Sequence, residues 1–219
     1  MVRTPTRFDN RVARRILAAM TIDPEVTCRC ALGLMLVGLA VVGIPPRLRA
    51  ERAGGKVSRQ GDPRWFWVGM ALVGPPVPLV CAAFMVDPRW VDFARAGLPF
   101  EVRLLGIPVG GLGLGLFAWM FRHLGLNVTS TSLPRADATL VTSGPYRWVR
   151  HPMYLAALIL LGATTLLTAN WVVAICGGAA CGLLIARSRI EERRLVEKFG
   201  DAYRNYQRRT GRVFPRIFR

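Results

Sequence analysis

The chain has 219 residues, of which 52% are hydrophobic, and its mean hydropathy is +0.32. This composition excludes an ordinary soluble domain and is typical of a small polytopic membrane protein. A formal net charge of +17 would suggest nucleic-acid binding in a soluble protein, but here the basic residues fall between apolar runs. Membrane topology and contact with anionic membrane lipid explain the charge better, and we predict no nucleic-acid partner.

Five apolar runs follow one another along the chain, each close to the ~20 residues that a helix needs to cross a bilayer. They lie at 30–46, 65–86, 104–121, 153–169 and 171–187. We therefore predict an all-α fold, a polytopic membrane helix bundle of about five transmembrane helices. The prolines between Gly74 and Pro78 remove backbone donors and should kink or break the second helix.

Small residues are dense in the third and fifth runs. A four-residue spacing relates Gly106 to Gly110, Gly111 to Gly115 and Gly178 to Gly182. Such spacing lets helix backbones approach closely in lipid, so we predict that these glycines pack helices together. The stretch GGLGLG has apolar helix on both sides and no preceding strand, which argues against a dinucleotide-binding loop.

The basic residues are distributed unevenly among the connecting segments. A cytoplasmic C-terminus collects most of the 30 Lys and Arg residues on the cytoplasmic side, as the positive-inside rule requires. We expect an integral membrane protein of the bacterial inner membrane with a cytoplasmic C-terminus. The basic N-terminal tail then falls on the opposite side, so either it lies on a membrane surface as an amphipathic segment or the first pair of spans differs from this prediction.

A group of polar and aromatic residues, GPYRWVRHPMY at 144–154, precedes the fourth apolar run. Pro145 and Pro152 push the residues before them toward extended geometry, and Pro152 suits the first turn of a helix. The residues from Tyr146 to His151 should therefore form a fixed loop at the membrane surface.

Two interpretations of this loop remain open. Arg147 and Trp148 suit an interfacial anchor, with the arginine on lipid phosphate and the ring in an aromatic belt. His151 favours a binding site, because the chain has only two histidines and this one lies at a helix N-terminus, where free N–H groups favour an anionic ligand.

The segment 186–209 follows the fifth run. Apolar and aromatic side chains recur there with helical spacing, at Leu195, Phe199, Tyr203 and Tyr206. We predict that the fifth helix continues beyond the membrane as a C-terminal amphipathic cytoplasmic helix. Its charged residues Glu192, Arg193, Arg194 and Glu197 should lie on the solvated face.

The last two apolar runs are separated by little more than Asn170, so they must form a tight antiparallel hairpin. The hairpin brings the start of the fourth helix beside the end of the fifth. His151 and Glu191 should therefore be neighbours, with Arg187 on the same helix face as Glu191.

Together, TLVTSGPYRWVRHPMY at 139–154 and EERRLVEKFGDAYRNYQRR at 191–209 resemble the isoprenylcysteine carboxyl methyltransferase and phospholipid methyltransferase superfamily of integral membrane enzymes. The resemblance covers about 104–215. We accordingly divide the chain into 1–103, with the N-terminal basic tail and the first two transmembrane spans, and 104–219, with the methyltransferase core.

The resemblance implies use of S-adenosyl-L-methionine, bound between the loop before the fourth helix and the helix after the fifth. The implied cofactor contacts are Thr131, Ala138, Thr139, Leu140, Val141, Tyr146, His151, Pro152, Met153, Tyr154 and Glu191. Relatives often carry a polar residue where this chain has Ala138, so a contact there must use the backbone. The resemblance also implies that Arg187, as a catalytic and substrate-binding residue, faces the methyl acceptor, and a guanidinium near the bilayer needs an anionic partner such as an acceptor carboxylate.

The acceptor stays open among lipophilic or small molecules: a prenylated thiol acid, a phospholipid amine, or a thiol such as methanethiol. A different enzyme class, the NADPH-dependent sterol-type membrane reductases, has a similar C-terminal region but more spans. A non-catalytic membrane scaffold is the third possibility. The chain has no Walker loop, HExxH, His/Cys ligand cluster or G-x-S-x-G elbow, so we predict no metal site and no triad chemistry.

Overall fold

The computed structural model describes residues 23–54, 62–125 and 139–216. Two predicted cofactor residues, Thr131 and Ala138, and the basic N-terminal tail lie outside the described residues. The helices are α1 (Pro24–Gly54), α2 (Arg64–Val73), α3 (Pro76–Val86), α4 (Phe100–Leu104), α5 (Gly106–Leu124), α6 (Pro152–Thr168), α7 (Trp171–Phe199) and α8 (Asp201–Arg209), with 3-10 turns at Pro88–Ala94 and Gly144–Arg147. No strand occurs among the described residues, which confirms the predicted all-α fold.

Among the described residues, four stretches of helix are long and apolar enough to cross a membrane, namely Pro24–Ala50, Arg64–Val86, Phe100–Leu124 and Trp171–Phe199. The shorter α6 is the fifth apolar helix. This arrangement agrees with the predicted bundle of about five transmembrane helices. The second stretch is broken between α2 and α3, as the run of prolines predicts, because Pro75 and Pro76 cannot donate backbone hydrogen bonds.

The first helix is longer than the predicted run, since it begins at Pro24 and continues through Pro45 and Pro46 to Gly54. Arg29 explains the difference at its start. Its Nε donates to the Met85 carbonyl over 3.1 Å, and its Nη2 donates to the Val86 carbonyl over 3.0 Å. The guanidinium therefore satisfies carbonyls at the end of α3, and a charged residue is accommodated inside α1.

The predicted hairpin between α6 and α7 is confirmed. Ala169 takes a left-handed conformation with φ of 46°, and the Asn170 side chain then caps α7 by accepting from the Val172 and Val173 amides over 2.9 and 3.3 Å. The Asn170 amide nitrogen also donates to the Val91 carbonyl over 3.3 Å. A two-residue connection thus holds the two helices antiparallel and ties the hairpin tip to the preceding 3-10 turn.

The helices α5 and α6 make the most extensive contact in the bundle, through glycines on one face of α5. A methyl group on Gly106 would lie 2.9 Å from the Ala163 carbonyl oxygen, and one on Gly110 would lie 2.8 Å from the Met35 sulfur. The predicted packing role is correct for this pair. It is wrong for Gly111, Gly115, Gly178 and Gly182, where no atom of the described part of the chain lies within 4 Å of a Cβ position.

The C-terminal amphipathic helix is present, but as a separate element. Gly200, with φ of 56°, ends α7, and α8 begins at the next residue. A continuous helix was predicted because the aromatic spacing passes through Gly200 unchanged. The positive φ redirects the chain so that Tyr203 and Tyr206 are buried.

Candidate active site

The loop before α6 is held by the C-terminal segment of the chain. The amides of Arg150 and His151 each donate over 2.9 Å to the carbonyls of Gly211 and Arg212, and the Gly211 amide donates to the Trp148 carbonyl over 3.0 Å. The predicted fixed loop is therefore confirmed. Its fixation comes from this pairing as well as from the prolines at each end.

Three side chains from the two ends of the hairpin meet at the start of α6. The His151 ring stacks on Tyr154, with ring centroids 5.1 Å apart and planes 7° from parallel. The Tyr154 hydroxyl donates to Glu191 Oε2 over 2.9 Å, and His151 Nδ1 lies 3.9 Å from the same oxygen. The predicted proximity of His151 and Glu191 is confirmed, and Tyr154 connects them.

This group combines buried and partly open polar atoms. The side chains of His151 and Glu191 are 5% and 27% exposed. Glu191 Oε1 has no hydrogen bond to another described residue, and it remains able to accept from a ligand. The site therefore presents one partly open carboxylate beside an imidazole and the positive end of the α6 dipole.

Glu192 forms a second, fully buried centre directly behind this group. Its carboxylate accepts from Arg150 Nε over 2.7 Å, lies 3.1 Å from Arg212 Nη2, and is 3.3 Å from His151 Nε2 without hydrogen-bond geometry. Its side chain is only 6% exposed. The prediction of a solvated face is wrong for Glu192, because α7 turns this residue toward the loop and the C-terminal segment.

Arg187 lies one helical turn before Glu191 and is also buried. Its Nε and Nη2 each donate over 3.0 Å to the two oxygens of Asp62, and its guanidinium lies 4.9 Å from the centroid of the Phe66 ring. The anionic partner that we expected the acceptor to supply is thus present within the chain. Sequence reasoning missed Asp62, which is separated from Arg187 by 125 positions and has no motif around it.

The remaining predicted cofactor residues surround the loop. Tyr146, Pro152 and Tyr154 are buried, Leu140, Val141 and Met153 are half-buried, and Thr139 is exposed. Val141 and Met153 pack against the cluster that contains Tyr146 and Phe121. These side chains supply apolar walls near the His151 and Glu191 group.

Tyr146 is tied to α8 through its backbone. Its carbonyl accepts a 2.6 Å hydrogen bond from the Tyr206 hydroxyl, which joins the loop to α8. Burial raises the pKa of the Tyr146 hydroxyl far above its ordinary value, so the phenol stays protonated and cannot act as a base near neutral pH. We therefore assign Tyr146 to shaping the site.

The interfacial residues of the loop are exposed and contact one another and Trp119. Trp148 is 46% exposed and packs edge-on against Trp119, with ring centroids 5.5 Å apart. The Arg147 guanidinium lies 4.9 Å from the Trp148 centroid. The anchor interpretation therefore suits Arg147 and Trp148, while the binding interpretation suits His151.

The isoprenylcysteine carboxyl methyltransferase (ICMT) family model matches residues 111–197. Two relatives are methanethiol S-methyltransferases, from Mycobacterium tuberculosis (37% identity over 70 residues, 32% of this chain and 28% of that protein) and Pseudomonas deceptionensis (35% over 83 residues, 38% and 31%). A third is the cobalt-zinc-cadmium resistance protein CzcN from Cupriavidus metallidurans, with 38% identity over 84 residues and 38% coverage of both chains. This chain spans about a third of the length of the curated relatives it matches.

The fold has a counterpart among solved structures. The eukaryotic intramembrane Ras methyltransferase ICMT superposes with a TM-score of 0.55 and 19% sequence identity, covering 90% of this chain and 70% of that one. With the family match, this confirms the predicted resemblance to the superfamily and supports an integral membrane protein.

Proposed function

We propose that the chain is an S-adenosyl-L-methionine-dependent methyltransferase that methylates a lipophilic or small acceptor at the cytoplasmic face of the bacterial inner membrane. The observation that carries this proposal is the convergence of His151, Tyr154 and Glu191 at the start of α6. The three residues lie inside the region that matches the ICMT family model. They also lie in the predicted methyltransferase core, 104–219, whose boundary remains a prediction.

The residues present fit the chemical groups of S-adenosyl-L-methionine. The partly open Glu191 carboxylate suits the ammonium group or a ribose hydroxyl. The helix N-terminus after His151 suits the carboxylate, because the helix dipole places partial positive charge there. Leu140, Val141 and Met153 provide apolar surface for the adenine ring.

For methyl transfer, the main task of the protein is to align the methyl donor with the acceptor. When bound, S-adenosyl-L-methionine supplies an electrophilic methyl group, whose bonding electron pair stays on the departing sulfur while the acceptor atom donates the new pair. An acceptor thiol or amine must also lose a proton, which water at the partly exposed side of the site can take. The buried Tyr146 and Tyr154 exclude water, and the loop pairing keeps the site in one geometry.

The acceptor reaches the site from the membrane side. Arg187, on the bilayer side of Glu191, is the residue that we propose to face it. Two of the relatives carry the name methanethiol S-methyltransferase, which supports a thiol among the candidate acceptors. A phospholipid amine and a prenylated thiol acid are the other classes to be tested.

Binding of the methyl donor provides the direct test. We expect purified wild type in detergent to bind S-adenosyl-L-methionine by calorimetry, and Glu191→Gln and His151→Ala to bind it about tenfold or more weakly. Loss of one charge-assisted hydrogen bond, about 1.5 to 3 kcal/mol, sets this magnitude.

The matched control is Glu197→Gln, which removes an exposed carboxylate from the same helix and should leave the affinity unchanged. Equal affinities in wild type, Glu191→Gln and His151→Ala would refute the assigned site. Absence of binding to the wild type would refute the proposed function itself.

A further inference from the structure

We infer that Asp62 is a specificity-determining residue that makes the acceptor site select against carboxylates, so that the acceptor carries an uncharged or cationic group beside its methylated atom. The inference rests on the proposed function. It narrows the acceptor to thiols or amines that lack a neighbouring acid.

The first observation is the geometry of the ion pair between Asp62 and Arg187. Both carboxylate oxygens of Asp62 are used, each accepting one 3.0 Å hydrogen bond from the guanidinium. The Asp62 side chain is fully buried, and the Arg187 side chain is 8% exposed. A buried two-point contact of this kind already supplies the planar partner that a guanidinium would otherwise seek in an acceptor carboxylate.

The second observation is the balance of charge around the site. Glu191, which accepts from the Tyr154 hydroxyl, lies one helical turn after Arg187, and Asp62 pairs with that arginine. Two carboxylates thus lie beside one guanidinium whose Nε and Nη2 are already occupied, which disfavours an incoming carboxylate more than a neutral thiol or a protonated amine.

The third step concerns what a carboxylate would displace. To reach Arg187 in two-point geometry, an acceptor acid would have to replace Asp62, because Nε and Nη2 are both occupied. The displaced Asp62 would lose both of its hydrogen bonds to Arg187 while its side chain stays buried, which is unfavourable. The ring of Phe66 beneath the guanidinium also restricts movement of Arg187 to another position.

A matched pair of acceptors tests the inference. Propanethiol and mercaptopropionate are short thiols that differ by the carboxylate. Binding of each is measured calorimetrically in lipid nanodiscs, without the methyl donor, and methyl transfer to each is measured with labelled S-adenosyl-L-methionine. The proteins are wild type, Asp62→Asn, and the double variant Asp62→Asn with Arg187→Gln.

We expect the wild type to prefer propanethiol. Asp62→Asn leaves Arg187 charged but removes its anionic partner, so the ratio of the two affinities should shift toward mercaptopropionate by about tenfold or more, the value of one charge-assisted hydrogen bond. The double variant should lose that shift, because it has no guanidinium. A merely structural ion pair would instead lower both affinities together.

Two results would overturn the inference. One is tighter binding of mercaptopropionate than of propanethiol by the wild type, a measurement that does not depend on the folding of any variant. The other is an unchanged affinity ratio in Asp62→Asn. If the wild type transfers methyl groups while the ratio of the two thiol affinities is unchanged in Asp62→Asn, only the inference fails. If the wild type neither binds the methyl donor nor transfers a methyl group to any acceptor, the proposed function fails. In that case the two thiol affinities still decide the role of Asp62.

Discussion

Replacing Glu192 by glutamine should destabilise the protein strongly, although the residue has the sequence context of a solvated helix. The Glu192 and Arg150 side chains are 6% and 8% exposed, and the carboxylate also contacts Arg212 and accepts from Gln207. Glutamine keeps the size but removes the charge, which leaves Arg150 buried without its anion. Breaking a buried pair from one side costs about 3 to 5 kcal/mol.

Thermal unfolding in detergent measures this cost. For a chain of this size, about 3 kcal/mol corresponds to a fall in Tm of about 6 to 12 °C. Glu197→Gln, exposed on the same helix, should change Tm little. The double variant of Glu192→Gln with Arg150→Gln should recover part of the loss, because removing both partners leaves no buried charge unpaired. A Glu192→Gln variant with the same Tm as the wild type would refute the reasoning.

Two further predictions concern packing and topology. Gly106→Ala should destabilise the protein by about 1 to 3 kcal/mol, because the new methyl group would lie 2.7 Å from Leu167 Cγ and 2.9 Å from the Ala163 carbonyl oxygen. The control Gly111→Ala should be neutral or stabilising. Equal melting temperatures of the two variants would contradict the assigned packing face. In a variant cleared of native cysteines, Ser143→Cys should resist an impermeant thiol reagent added outside intact cells and react after permeabilisation; labelling from outside would place the site away from the cytoplasm.

The proximity of His151 and Glu191 could be predicted because it follows from local features. Asn170 forces a tight hairpin, and α6 has 17 residues, so its start lies beside the part of the antiparallel α7 that is about as far from the turn, near Arg187 and Glu191. The break before α3 was equally local, since Pro75 and Pro76 lack backbone donors.

The role of Glu192 could not be predicted in this way. Neighbouring residues on a helix point about 100° apart, so Glu191 and Glu192 face different surroundings. Which of the two meets the loop depends on how α7 is rotated in the bundle. That rotation is set by packing, and by Arg150, His151 and Arg212 arriving from other parts of the chain.

The sequence by itself determined the all-α membrane fold, the hairpin and the resemblance of the C-terminal half, because these depend on composition, helical periodicity and short motifs. Only the tertiary structure decided that Asp62 pairs with Arg187 across 125 positions, and that one glycine face of α5 packs while the other does not. Contacts between distant segments depend on how whole helices are placed against one another. The spacing of residues within one helix does not predict how that helix is placed against the others.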